Sequence, residues 1–132
     1  MDGILVIDKP TGLSSHDIVQ KTRRIAKQRK VGHAGTLDPL ATGVLPLLLG
    51  QATKISRYLI GQDKSYAAEL CFGITTDTLD SDGRVVEHKD VDFSPEQLEE
   101  VLEAFRGHIE QIPPMYSAKK IAGKKLYKLA RK

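Results

Sequence analysis

The sequence is poor in the features that mark secreted and membrane-inserted chains. Its single cysteine, Cys71, can form no internal disulfide, and the apolar neighbours of that residue read as those of a reduced core thiol. No apolar run approaches the roughly 20 residues of a membrane span, and the N-terminus opens directly into a strand-like segment rather than into a leader. There are no internal repeats, and the one biased stretch is the lysine-rich end. These absences point to a cytoplasmic protein, and 132 residues, 40% of them hydrophobic and 28% charged, suffice for one soluble core.

Charge of one sign is also missing locally. Residues 1–66 carry ten Lys or Arg against five acids, residues 67–118 three against twelve, and residues 119–132 seven against none. The formal net charge of +3 therefore hides two basic blocks around an acidic one. Charge runs of this kind often form only a solvated helix face and a tail, but two clusters flanking an acidic segment favour a polyanionic partner. The candidate phosphate contacts are Lys21, Arg24 and Lys27 in the first block and Lys119, Lys120, Lys124 and Lys125 in the last.

What the sequence does have is concentrated in residues 32–50, where Gly32, Gly35, Pro39, Gly43, Pro46 and Gly50 punctuate the backbone. One carboxylate, Asp38, stands there between Leu37 and Leu40. It reads either as an Asp-Pro turn, with the carboxylate accepting a nearby N–H, or as a reacting group on a rigid loop. The following apolar run, Val44 to Leu49, suits a buried strand that would hold such a loop against a core.

The rest of the sequence predicts a mixed α/β (α+β) layout. Residues 3–8 form a short β-branched run ended by Lys9-Pro10-Thr11-Gly12, a buried strand and a turn. Ser14 and Asp17 make a near capping box for a helix that places Ile18, Val19, Thr22, Ile25 and Ala26 on one face. A second helix is expected over residues 51–60, stopped by Gly61, and a strand over 64–73 that carries Tyr66. Thr78-Leu-Asp80-Ser-Asp82-Gly83 fails the calcium-loop pattern, since Thr78 and Lys89 fall where an acid and a bidentate Glu are required; it reads as a hairpin or loop before a brief strand at 84–88. Ser94-Pro95-Glu96-Gln97 opens the clearest helix, with Leu98, Val101, Leu102 and Phe105 on one face and Gly107 past its end. His108 to Ile112 is expected as one more strand, broken by Pro113-Pro114.

The stretch Gly32-His33-Ala34-Gly35-Thr36-Leu37-Asp38-Pro39-Leu40-Ala41-Thr42-Gly43-Val44-Leu45 resembles the signature of the bacterial tRNA pseudouridine-55 synthases of the TruB type and their guide-RNA-dependent, dyskerin-type relatives. Further matches follow in order: Asp8 to Gly12, Asp63 to Tyr66, Thr75 to Gly83 and Pro113 to Ala118. The resemblance implies the pseudouridine synthase fold, a mixed, mostly antiparallel sheet flanked by helices, incomplete in this sequence. It implies isomerisation of uridine to pseudouridine in the T-arm loop of tRNA, with no metal or organic cofactor, no membrane and no obligate protein partner.

By the same resemblance Asp38 is the nucleophile, and Tyr66 stacks on the extruded uracil with its hydroxyl available for proton transfer. His33 fills space near the flipped nucleotide, and Asp80 pairs with an arginine that this sequence does not contain in a matching motif. Lys9 is assigned to scaffold or phosphate contact. Residues 1–112 are expected to be the N-terminal part of the catalytic domain and residues 113–132 the start of a basic, mobile, RNA-clasping insertion. The remainder of that domain and a C-terminal RNA-binding domain would then be absent, and the 132 residues alone would not catalyse. The competing reading is an RNA-binding module without catalysis, which the basic blocks alone would support; the compact N-terminus favours the stand-alone bacterial type over the guide-dependent one.

Overall fold

The computed structural model describes residues 1–113 and the backbone of residues 120–121 and 123–125. The protein forms two compact units, Met1–Tyr66 and Ala67–Lys132, and its elements are a mixture of short helices and antiparallel sheets, as the sequence pattern requires.

In the first unit, β1 (Gly3–Lys9) and β2 (Val31–His33) both pair antiparallel with β3 (Gly43–Leu49), giving the order β1-β3-β2. Leu45, Leu47 and Leu49 alternate along β3 onto one face, where they meet Ile18 and Val19 of α1 (Ser15–Ile25) together with Val31. Ile7, Leu13, Ala26 and Leu37 close the rim of this core. Leu48 points to the opposite face and is also fully buried.

β1 is not the buried strand expected from its composition. It pairs only with β3 among the described residues, and Ile4, Leu5 and Val6 remain exposed; apolar β-branched residues favour a strand but do not by themselves say whether both of its sides are covered. Ile25 is likewise 84% exposed although its predicted neighbours Ile18, Val19 and Thr22 are buried. It is the last residue of α1.

α1 begins with a full capping box. The Ser14 Oγ accepts the Asp17 N–H at 3.2 Å, and the Asp17 carboxylate accepts the Ser14 N–H at 2.9 Å and its hydroxyl at 2.6 Å. These hydrogen bonds, the Ser14 hydroxyl first, hold the Asp17 carboxyl below the usual aspartate range. A depressed carboxyl stabilises the folded state above its unfolded pKa, about 3.9, and that contribution vanishes as pH falls through the lower folded value. Ser14→Ala should therefore raise the Asp17 pKa in a carbon-detected NMR titration, and the melting-temperature gap between variant and parent should narrow once pH drops below the folded Asp17 pKa, leaving the part due to the neutral cap on the Asp17 N–H. A gap unchanged into strong acid would show that the capping bond is not charge-assisted.

The C-terminal end of α1 turns on Lys27, whose φ of +48° is left-handed, a conformation usually given to glycine. Arg23 Nη2 then donates to the Val31 C=O at 2.8 Å and ties helix to strand.

Residues 50–59 depart from the expected single helix. Gly50–Ile55 is a 3-10 turn and only Ser56–Leu59, α2, is one turn of α-helix. The Thr53 hydroxyl donates to the Gly50 C=O at 2.8 Å, a local bond that holds the tighter turn. The Asp2 carboxylate caps the turn from outside by accepting the Gln51 N–H at 2.7 Å. Gly50 itself has φ +57°, and a Cβ there would run into that carboxylate and come within 2.7 Å of the Met1 C=O.

The second unit holds the hairpin β4 (Ile74–Thr76) and β5 (Val85–His88), the helix α3 (Pro95–Glu103) and a two-residue hairpin of β6 (Lys120–Ile121) with β7 (Lys124–Lys125). The α3 capping box of Ser94 and Gln97, with Pro95 in its first turn, matches the sequence reading, as does the loop at 77–84. The strands expected over 64–73 and 108–112 are absent, and both stretches are irregular up to Ile74 and from Ala104 on. Alternating apolar residues become a strand only beside a partner strand, and no described segment pairs with either. Cys71, expected in a core, is exposed for the same reason. Among the described residues no helix is long and apolar enough to cross a membrane.

Candidate active site

Residues 34–42, between β2 and β3, carry Asp38 at the surface of the first unit. The loop is irregular, yet its backbone is tied down on both sides of the aspartate. Before it, the Leu37 N–H donates to the Ser15 hydroxyl at 2.9 Å while that hydroxyl donates to the Leu37 C=O at 3.1 Å. After it, the Pro39 C=O accepts the Gly12 N–H at 2.8 Å and the Lys9 ammonium at 3.2 Å. Leu37 packs against the core, and the Ala34 N–H donates to the Pro46 C=O at 3.0 Å at the loop's entrance.

Asp38 thus sits in a turn, but not through its carboxylate. Its backbone C=O accepts the Ala41 N–H at 3.1 Å, whereas the carboxylate accepts no hydrogen bond among the described residues. The turn of the Asp-Pro pair is thus made by proline and backbone, and the carboxylate takes no part in it among the described residues.

Lys9 takes the first of its two assigned roles, scaffold, and not that of a phosphate contact. Its side chain has no exposure, and the ammonium donates to the carbonyls of Pro10 at 2.9 Å, Leu13 at 2.7 Å and Pro39 at 3.2 Å. Three donors committed to three carbonyls leave nothing for a ligand, so Lys9 is scaffold that joins the turn after β1 to the Asp38 loop.

His33 ends β2 opposite Leu47, half-buried, with its Nδ1 shielded from solvent and without a partner among the described residues. Tyr66 lies in the irregular stretch after α2 and is 65% exposed, with no hydrogen bond among the described residues. Two residues before it, the Lys64 stem passes 3.6 Å from where a Cβ on Gly35 would stand, which draws this stretch to the start of the Asp38 loop. Asp80 belongs to the second unit. Its Oδ1 accepts the Thr78 hydroxyl at 2.6 Å and the Asp82 N–H at 3.0 Å, while its backbone C=O accepts the Thr76 hydroxyl at 2.7 Å. Among the described residues no three His, Cys, Asp or Glu side chains gather as metal ligands would.

The profile describing the TruB family pseudouridylate synthase (N terminal domain) matches residues 23–132. The chain belongs to the TruB family. The tRNA pseudouridine synthase B of Salmonella paratyphi B is 56% identical over 129 residues, 98% of this chain and 41% of that protein. The enzyme of the same name from Caldanaerobacter subterraneus subsp. tengcongensis is 55% identical over 133 residues, all of this chain and 47% of that protein. The chain thus spans less than half the length of these relatives. The crystal structure of a Cbf5-Nop10-Gar1 complex contains a chain that superimposes on 89% of this one, and on 31% of its own length, with a TM-score of 0.60 and 28% identity.

In this TruB-family protein Lys21, Arg24 and Lys27 are exposed along α1 and its C-terminal turn. With Gln20, Arg23, Gln28 and Arg29, two of them border a shallow depression there. Among the described residues none of the six cations between 21 and 30 sits in an ion pair with an acid. Lys119 and the side chains of Lys120, Lys124 and Lys125 lie outside the described residues.

Ser15 and Gly12 are the site residues that sequence reasoning missed. Ser15 had a signal: Ser15, Ile18, Val19 and Thr22 share one helical face at i, i+3, i+4 and i+7, and a hydroxyl on a buried face needs a partner.

Proposed function

We propose that this chain is the N-terminal catalytic portion of a tRNA pseudouridine synthase that isomerises uridine in the T-arm loop, with Asp38 as its nucleophile. The observation that carries the reading is the free carboxylate of Asp38 in a loop pinned at the residue before it and the residue after it. A catalytic group has to be held in place by its surroundings yet keep its reacting atoms uncommitted. The names of the relatives supply the substrate class.

The reaction breaks the bond from C1' to N1, turns the base, forms a bond from C1' to C5, releases the C5 hydrogen to water as a proton and returns a proton to N1, with no net oxidation. Attack on the base, attack on the sugar and promoted elimination all require Asp38 ionised at the point where the glycosidic bond breaks. Tyr66, exposed and without a hydrogen bond among the described residues, is free to stack on an extruded uracil, and His33 to occupy the space that base leaves. Residues 1–112 then form the scaffold of the reacting groups and residues 113–132 the start of a basic segment that closes on RNA, in a cytoplasmic enzyme.

The test is tritium release from tRNA labelled at uridine C5, using the whole protein. Release that depends on the T-arm uridine supports the reading, and binding without release would establish a non-catalytic RNA-binding module instead. RNA affinity should also fall steeply with salt. Removing the charges of Lys21, Arg24 and Lys27 should lower the slope of log affinity against log salt by about one unit for each phosphate no longer neutralised. An unchanged slope would place the RNA elsewhere.

A further inference from the structure

We propose that Ser15 is the positioning residue for Asp38: its hydroxyl fixes the backbone immediately before the aspartate and so sets the direction of the carboxylate. This rests on the reading of Asp38 as the reacting group. Ser15 occupies the first position of α1, directly after the N-cap Ser14, and is only 2% exposed. Ser14 faces outward and caps the helix with Asp17. Ser15 turns the other way, and its one hydroxyl satisfies both the N–H and the C=O of Leu37. Those two atoms flank the Cα whose position determines where the next residue begins.

A single hydroxyl bonded to both polar groups of one residue restrains that residue as a paired strand would. The loop has no strand at this point, so the serine replaces one. On the other flank the Pro39 carbonyl is held by Gly12 and Lys9, and proline fixes its own φ. Without Ser15, the free rotations left between Ala34 and Asp38 include both dihedrals of Leu37, and the carboxylate loses its aim while the fold behind it stays.

A buried serine cannot touch RNA, so its removal should act on turnover and not on binding. Misplacement of a reacting group by about 1 Å costs on the order of 100-fold in rate. In the whole protein, Ser15→Ala should lower kcat for tritium release by about 10- to 100-fold and leave KM for tRNA within about twofold. Hydrogen exchange at the Leu37 amide should rise by at least about tenfold while the amides of β3 keep their protection. Ser15→Cys, which fills the same space with a weaker donor, should fall between parent and Ser15→Ala, and it carries the comparison if the alanine variant does not fold. An active parent whose Ser15 variants keep kcat within about twofold overturns the proposal alone, as does a kcat loss matched by a rise in KM. A parent that releases no tritium overturns the reading of Asp38 and this proposal with it.

Discussion

Asp38→Asn in the whole protein will abolish pseudouridine formation, with tritium release falling by at least about 10⁴-fold, the scale on which removal of a covalent nucleophile acts. Binding of tRNA should change by no more than about threefold, because the substitution removes no cation that neutralises a phosphate. Folding should survive as well. The turn at this position is made by the Asp38 backbone C=O and the Ala41 N–H, the carboxylate bonds to nothing among the described residues, and exposed substitutions of this kind usually stay within about 0.5 kcal/mol. A variant with unaltered melting, unaltered affinity and no turnover is therefore the expected result. Residual turnover within about tenfold of the parent would remove Asp38 from the mechanism.

Lys9→Met should produce the opposite profile, a loss of stability first and of activity through it. Methionine replaces the apolar stem of the lysine at nearly the same volume, so packing is largely kept. The change deletes three hydrogen bonds from an ammonium with no exposed surface, to the carbonyls of Pro10, Leu13 and Pro39. Acceptors left without donors cost up to about 1–3 kcal/mol each where water does not replace the lost donor. The Pro39 carbonyl keeps the Gly12 N–H, so the total expected for the carbonyls of Pro10 and Leu13 is about 2–6 kcal/mol. For a unit of this size that lowers the melting temperature by on the order of 10 °C or more. A shift within about 2 °C would mean that the ammonium gains no more from three carbonyls than it loses by leaving water.

The two substitutions also show what a sequence can and cannot reveal here. Local signals were legible: Ser14 with Asp17 and Ser94 with Gln97 cap the helices they were expected to cap, and the apolar run after Gly43 is the central strand. Each of these is decided within a few residues. The misses all depend on partners distant in sequence. Residues 64–73 alternate like a strand, but no described strand lies beside them; Cys71 inherits its exposure from that. Ile4 and Val6 look like core, yet β1 has a neighbour on one side only among the described residues. Lys9 stays open between scaffold and phosphate contact in the sequence, and only the fold, which brings the Leu13 and Pro39 carbonyls around its ammonium, decides for scaffold. Asp38 itself is visible because Gly35 and Pro39 bracket it, whereas the Ser15 hydroxyl ties down Leu37, 22 residues on, a partner that no local pattern names.

The cap on the 3-10 turn has a practical corollary for handling the protein. The Met1 carbonyl accepts the Gln28 side-chain amide at 2.9 Å and the Asp2 carboxylate accepts the Gln51 N–H at 2.7 Å, so the first two residues are knitted to segments 27 and 49 positions away. An affinity handle fused directly ahead of Met1 would crowd this junction beside Gly50, where not even one methyl group fits. A flexible glycine-serine spacer keeps such a handle clear, and trimming the protein to begin at Gly3 would strip the Gln51 amide of its acceptor.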